Sequence, residues 1–170
     1  LEQVERITIE TQQAGMRIID KTGALANPAD RDHCLQYMVA VPLIFGRLGA
    51  SDYEPEVAAD ARIDALRAKM QVRENPDFTR DYYDPDRRYI GNAVQVFFRD
   101  GSTTERVAID YPLGHRLRRA EALPLLRAKF DAAVRGHFSE AQTAAILALF
   151  ADRTRLESMT TSMEPSLRRS

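Results

Sequence analysis

Residues 91–111, GNAVQVFFRDGSTTERVAIDY, alternate apolar and polar side chains on either side of an Asp100-Gly101 pair. Val94, Val96 and Phe98 recur at period two, the Asp-Gly pair turns the chain, and Val107, Ile109 and Tyr111 return at the same period. That is the signature of a β-hairpin. Toward the N-terminus, Ile7 and Ile9 alternate with Arg6, Thr8 and Glu10, so residues 5–11 read as a half-buried strand, and residues 71–74 as a short one. Beyond Tyr111-Pro112 the period changes to that of helices. Strands with one long helix come first and helices alone finish the chain, so the expected class is α+β. An α+β domain is expected over residues 1–115 and a helical segment over 116–170.

The long helix is expected at 28–48. Asn27 can cap its free backbone N–H groups, Pro28 suits the first helical position, and Asp30 and Asp32 suit the first turn. Its first half is polar. Its second half, 38–48, is apolar nearly all round, which predicts burial, with Pro42 as a kink. A loop over 20–26 precedes it and carries Lys21 and Gly23. Asp60 can cap a further helix that places Ile63, Leu66 and Met70 on one face, and 75–88, rich in Asp, Pro, Tyr and Arg, reads as a long loop. In the helical part, Leu123, Leu126 and Phe130 share a face and Gly136 stops the helix. Ser139 with Gln142 has capping-box spacing ahead of Ile146, Leu149 and Phe150. The tail, 160–170, is expected to fray.

Composition narrows the function. With 44% hydrophobic and 29% charged residues the 170-residue chain has the balance of a folded, soluble protein. A net charge of −1, with Lys and Arg spread throughout, gives no field drawing it to nucleic acid or anionic membrane. The one cysteine, Cys34, can neither close an internal disulfide nor by itself hold an iron–sulfur cluster or a structural zinc, so a reducing compartment is expected. The longest apolar run, 38–45, is too short to cross a bilayer. The chain opens on Leu1 and runs at once into a strand, which reads as a piece of something longer.

No phosphate loop, dinucleotide fingerprint, metal-binding helix or nucleophile elbow is present. Within the expected helix Asp30, His33 and Tyr37 fall at i, i+3 and i+7 and would share a face. A His that titrates near neutrality beside a phenol suits proton transfer next to a carboxylate. On spacing alone the commoner reading is structural: His33 bonds locally and Tyr37 belongs to the core. His115 and Arg116, behind Gly114 and ahead of Arg118 and Arg119, form a basic turn that can hold a polyanionic acid, or else a solvated helix start. Lys21 and Arg31 flank the helix as possible carboxylate clamps, or as surface charge.

Several stretches change this balance. IIDKTG at 18–23, NPADRDHCLQYMVA at 27–40, DARIDALR at 60–67, YYDP at 82–85 and YPLGHR at 111–116 closely resemble the 2-methylcitrate dehydratases of the MmgE/PrpD superfamily. The likeness runs in order from near Leu1 to about Phe150. It implies a small α+β lid over 1–115, inserted in a large helical domain. That domain is built from the parent chain's N-terminal region, which these residues do not contain, and from returning helices at 116–170.

The resemblance further implies a hydro-lyase that dehydrates 2-methylcitrate to 2-methyl-cis-aconitate in propionate catabolism. The alternatives are a relative acting on cis-aconitate or another small polycarboxylate, or a non-catalytic assembly module. Tyr37 is implied to face the substrate, with His33 one turn before it, both as catalytic residues. Lys21, Arg31, His115 and Arg116 are candidates for binding the tricarboxylate. Neither cofactor nor metal is expected. Expected partners are the parent's N-terminal helical domain and a second copy in a homodimer, with no nucleic acid and no membrane. The location would be cytoplasmic, or the mitochondrial matrix in a eukaryote.

Overall fold

The computed structural model describes residues 1–159, and the expected fraying of 160–170 lies outside them. The chain divides into two units, Leu1–Pro112 and a second that begins at Leu113. In the first, β1 (Val4–Thr11), β2 (Met70–Glu74), β3 (Asn92–Phe98) and β4 (Val107–Ile109) form one sheet in the order β2-β1-β3-β4. β1 pairs parallel with β2 and antiparallel with β3, and β3 pairs antiparallel with β4. The fold is α+β.

Alternation along β1 gives the sheet two different faces. Val4, Ile7, Ile9 and Thr11 are buried, Ile7 and Ile9 completely. The other face carries charge: the Arg6 guanidinium lies 3.7 Å from the centre of the Phe97 ring, and Glu10 takes Arg106 Nη2 at 2.6 Å and Asn75 Nδ2 at 2.7 Å. The hairpin turn is as its sequence reads. Gly101 takes φ +85°, the left-handed region that glycine enters without strain, and Asp100 Oδ1 accepts from the Ser102 N–H and hydroxyl. The return strand is shorter than its pattern. It ends at Ile109, and Tyr111, next to Pro112, leaves the ladder to pack against Tyr89, ring centres 4.9 Å apart.

Helices cover the buried face. The segment expected as one helix over 28–48 is two: α2 (Pro28–Asp32), capped by Asn27 on the Asp30 N–H, and α3 (Leu35–Phe45), which ends at Gly46 with φ +70°. Between them Cys34 is extended, φ −121° and ψ 108°. Leu35, Tyr37, Ala40 and Val41 of α3 are buried, and Pro42 stays inside the helix, where it leaves the Met38 carbonyl without an intrahelical donor. A 3₁₀ turn at Ala50–Tyr53 and the short α4 (Pro55–Ala58) lead to α5 (Ala61–Arg67), capped by Asp60 as expected. Ile63 and Leu66 of α5 are buried against the same core, whereas Met70 belongs to β2.

Two further helices depart from the reading of the sequence. α1 (Gln13–Ile19) follows β1 directly and has no local side-chain cap; the Gln13 N–H donates instead to Thr79 Oγ1 at 2.9 Å. α6 (Pro76–Tyr83) occupies most of the expected loop at 75–88, with Asn75 capping the Asp77 and Phe78 N–H groups and Phe78 buried. In the second unit a 3₁₀ turn at Arg116–Arg118 leads into α7 (Arg119–Arg135), followed by α8 (Glu140–Ala151) and α9 (Arg153–Ser158). Ser139 and Gln142 form the expected capping box. Val134, Ile146 and Leu149 make this unit's core, with Phe130 and Phe138 packed on it, while Leu123, Leu125 and Leu126 stay exposed.

Candidate functional site

Two segments of the first unit meet at the break between α2 and α3. One is the loop 20–26. Gln36, buried at the start of α3, donates from Nε2 to Asp20 Oδ1 at 2.5 Å and accepts the Lys21 backbone N–H on Oε1 at 3.3 Å. The fully buried Cys34 Sγ lies 3.4 Å from both the Lys21 carbonyl and Gln36 Oε1. Lys21, fixed at its backbone in this way, holds Nζ 3.6 Å from Asp30 Oδ1. The break therefore has a tertiary cause: turning Cys34 inward onto the loop requires extended backbone at that residue.

The other segment is the 3₁₀ turn at Ala50–Tyr53. Arg31 is buried and donates from Nη1 to the Tyr53 carbonyl at 2.7 Å; Tyr37, 2% exposed, donates its hydroxyl to the Asp52 carbonyl at 2.7 Å. The rings of Tyr37 and Tyr53 stack with centres 5.9 Å apart and planes 25° from parallel. Asp52 closes the turn from inside, with Oδ2 on the Gly49 N–H at 2.8 Å and Oδ1 3.0 Å from Arg47 Nη2. Burial foremost holds the Tyr37 hydroxyl above its usual pKa, while the positive charges of Arg31 and Arg67 pull the other way. The phenol is neutral at physiological pH and its proton is committed to a backbone oxygen.

These contacts correct the shared face expected of Asp30, His33 and Tyr37. With the helix broken at His33-Cys34, spacing at 3.6 residues per turn no longer relates them. His33 closes α2 with its side chain 59% exposed and its Nδ1 hydrogen-bonded to Asp32 Oδ1. Tyr37 points to the Ala50–Tyr53 turn instead. Arg31, expected as a carboxylate clamp or as surface charge, is a buried strut to the same turn.

A cleft of about 450 Å³ opens where the loop 20–26 passes α5, lined by Lys21, Gly23, Gln36, Asp64 and Arg67 among others. Arg67 is the residue that sequence reasoning missed. Its side chain is 8% exposed, with Nη1 on Asp64 Oδ1 at 2.5 Å and Nη2 on the Gly23 carbonyl at 2.9 Å. A signal was there: Ile63, Leu66 and Arg67 stand at i, i+3 and i+4, so a cation sits on the apolar face of α5. His115 and Arg116 lie in the second unit, where the His115 imidazole accepts the Leu117 N–H at 3.3 Å and caps the turn that Arg116 opens. Among the described residues no group of three or more His, Cys, Asp or Glu is placed to hold a metal ion, and no helix is long and apolar enough to cross a membrane.

A family model described as the MmgE/PrpD C-terminal domain matches residues 1–153. The chain belongs to the MmgE/PrpD family. Relatives within it are close. A 2-methylcitrate dehydratase of Salmonella typhimurium is 56% identical over 156 residues, covering 92% of this chain and 32% of the relative. One from Cupriavidus necator is 55% identical over the same shares of each chain, and a mitochondrial one from Yarrowia lipolytica is 54% identical over 145 residues, 85% of this chain and 28% of the relative. The chain thus spans about a third of the length of the curated relatives it matches. The MmgE/PrpD match takes in both segments of the site, the cleft beside α5 and the turn at His115.

Proposed function

We propose that this chain is the C-terminal part of a hydro-lyase that converts 2-methylcitrate to 2-methyl-cis-aconitate, in the methylcitrate cycle of propionate catabolism. The observation that carries the reading is 56% identity, over 92% of the chain, to a protein named 2-methylcitrate dehydratase. The reaction removes a proton beside a carboxylate and expels hydroxide as water. It needs a base, an acid for the leaving hydroxyl, and cations that hold the carboxylates while negative charge builds next to them.

His33 has the form of a proton-transfer group: its Nδ1 is held by Asp32 and its ring is exposed, which leaves Nε2 for a substrate. Lys21 is held at its backbone and presents an ammonium group that is only partly paired. Tyr37 and Arg31 act as positioning residues, fixing the Ala50–Tyr53 turn against α2 and α3. His115 and Arg116 are carried as polycarboxylate-binding residues of the second unit. The remaining groups come from the other two thirds of the parent protein, which the reading assigns to a helical domain, and the whole works as a homodimer. A bacterial cytosol or a mitochondrial matrix fits, since relatives of both kinds of organism carry the name and one of them is called mitochondrial. With Cys34 its one cysteine, this part cannot assemble the thiolates of an iron–sulfur dehydratase, and the proposed reaction runs without a cofactor.

The test is the purified full-length parent assayed on 2-methylcitrate, citrate and cis-aconitate, with and without a chelator. The highest kcat/KM is expected on 2-methylcitrate, unchanged by chelation. A tenfold preference for either other acid overturns the substrate assignment, and chelator inactivation reversed by iron overturns the chemistry.

A further inference from the structure

Arg67 is an unusual arginine. Its guanidinium is buried on the core-facing side of α5, and its Nε, out of reach of solvent, has no hydrogen-bond partner among the described residues. A buried N–H left unpaired is destabilising, more so on a charged group, so Arg67 is kept at this position at a cost to the fold. The partner present on Nη1 is weakly held: Asp64 is 74% exposed, and an ion pair of that kind exchanges with water at little loss. The partner on Nη2 is firm, because the Gly23 carbonyl belongs to the loop that Gln36 and Cys34 fasten to α3.

The same cleft holds a second cation. Lys21 sits on that loop, and its Nζ is only 3.6 Å from one carboxylate, Asp30. Space for a ligand exists as well, since about 450 Å³ falls within the range of small-molecule sites. Two cations, one of them a guanidinium paired with an exchangeable carboxylate, are the elements of a site for a small polycarboxylate.

We propose that Arg67 and Lys21 bind one carboxylate group of the substrate in this cleft, the incoming group taking the place of Asp64 on Nη1 of the guanidinium. The assignment rests on the reading of the protein as a polycarboxylate hydro-lyase and adds to it a specificity residue. Asp64 then guards the empty site, keeping the guanidinium paired until substrate arrives.

The experiment uses the full-length parent and tricarballylate, a tricarboxylate that has no hydroxyl to lose, with its Kd measured by calorimetry. Arg67→Lys keeps the charge and discards the planar fork, and should raise Kd by on the order of tenfold with Tm little changed. Asp64→Asn removes the competitor, and should lower Kd by about two- to fivefold. A purely structural Arg67–Asp64 pair gives the reverse pattern, with Kd unmoved or raised by Asp64→Asn, and that result overturns the proposal even if Arg67→Lys fails to fold. If Arg67→Lys binds tricarballylate as the wild type does, the site is refuted and the enzymatic reading stands. If both variants behave as expected but the wild type prefers another polycarboxylate to 2-methylcitrate, the site stands and the substrate assignment falls. A wild type that neither binds tricarballylate nor turns over 2-methylcitrate refutes both.

Discussion

Tyr37→Phe separates a positioning phenol from a reacting one. The substitution deletes one oxygen from a ring that is 2% exposed and stacked on Tyr53, so packing is kept and only the 2.7 Å hydrogen bond to the Asp52 carbonyl is lost. A buried carbonyl deprived of its donor loses about 1–3 kcal/mol of stability. In a chain of the parent's size each kcal/mol moves Tm by roughly 2–4 °C at most, so a fall of a few degrees is expected, with about 12 °C as its upper bound. The magnitude should lie toward the upper end if the Ala50–Tyr53 turn loosens with it, because Arg31 holds the neighbouring Tyr53 carbonyl in the same turn. Activity should suffer little, with kcat on 2-methylcitrate within about fivefold of wild type, since the hydroxyl proton is already committed to a backbone oxygen. A phenol acting on developing charge behaves oppositely, and its loss lowers kcat by roughly 10²–10³ while leaving Tm alone. Thermal unfolding and steady-state kinetics of the full-length variant decide between them. An unshifted Tm with a hundredfold loss of kcat refutes the positioning role.

Glu10 makes stability depend on acid. The Arg106 guanidinium foremost, with Asn75 and Arg73 assisting, holds its pKa at about 2, below an ordinary value of 4.5. The charged form is therefore favoured by folding, and the stabilisation is fully present above about pH 4.5 and lost as pH falls toward 2. Arg106→Met should flatten that part of the stability–pH curve measured by denaturant unfolding, and an unchanged slope between pH 4.5 and 2 counts against the pair. The 170-residue chain alone should show no turnover of 2-methylcitrate, because the proposal leaves further acid/base groups in the rest of the parent; measurable turnover by the purified fragment contradicts it. Asp60→Ala should lower the denaturation midpoint at unchanged slope, through loss of the cap on the Arg62 N–H.

What was legible in this chain follows the range of the interactions that decide each element. The hairpin turns on Asp100-Gly101 and the caps at Asn27, Asp60 and Ser139 act within three residues, so a linear reading finds them. α1 escapes because its first N–H is capped by Thr79, 66 residues away. α6 is different: Asn75-Pro76-Asp77 carries the same start signal as Asn27-Pro28, and the cap prevails over a following run of Asp, Tyr and Arg whose composition alone reads as loop.

The site was harder to read for a sharper physical reason. Relating His33 to Tyr37 by spacing assumes an unbroken helix, and whether the helix is unbroken depends on where Cys34 and Gln36 find their partners. Those partners, Lys21 and Asp20, sit on a separate loop 13 to 16 residues upstream. Once the thiol and the amide turn inward to that loop, Cys34 becomes extended and Tyr37 rotates onto the turn at Asp52. Arg31 follows the same logic, since the Tyr53 carbonyl makes burial of its guanidinium tolerable. Arg67 is the exception that periodicity could reach. A cation at i+4 from Ile63 and next to Leu66 breaks the apolar face of α5, and in a stable helix such a break needs a partner from outside the helix. The Gly23 carbonyl, 44 residues away in the chain, is that partner.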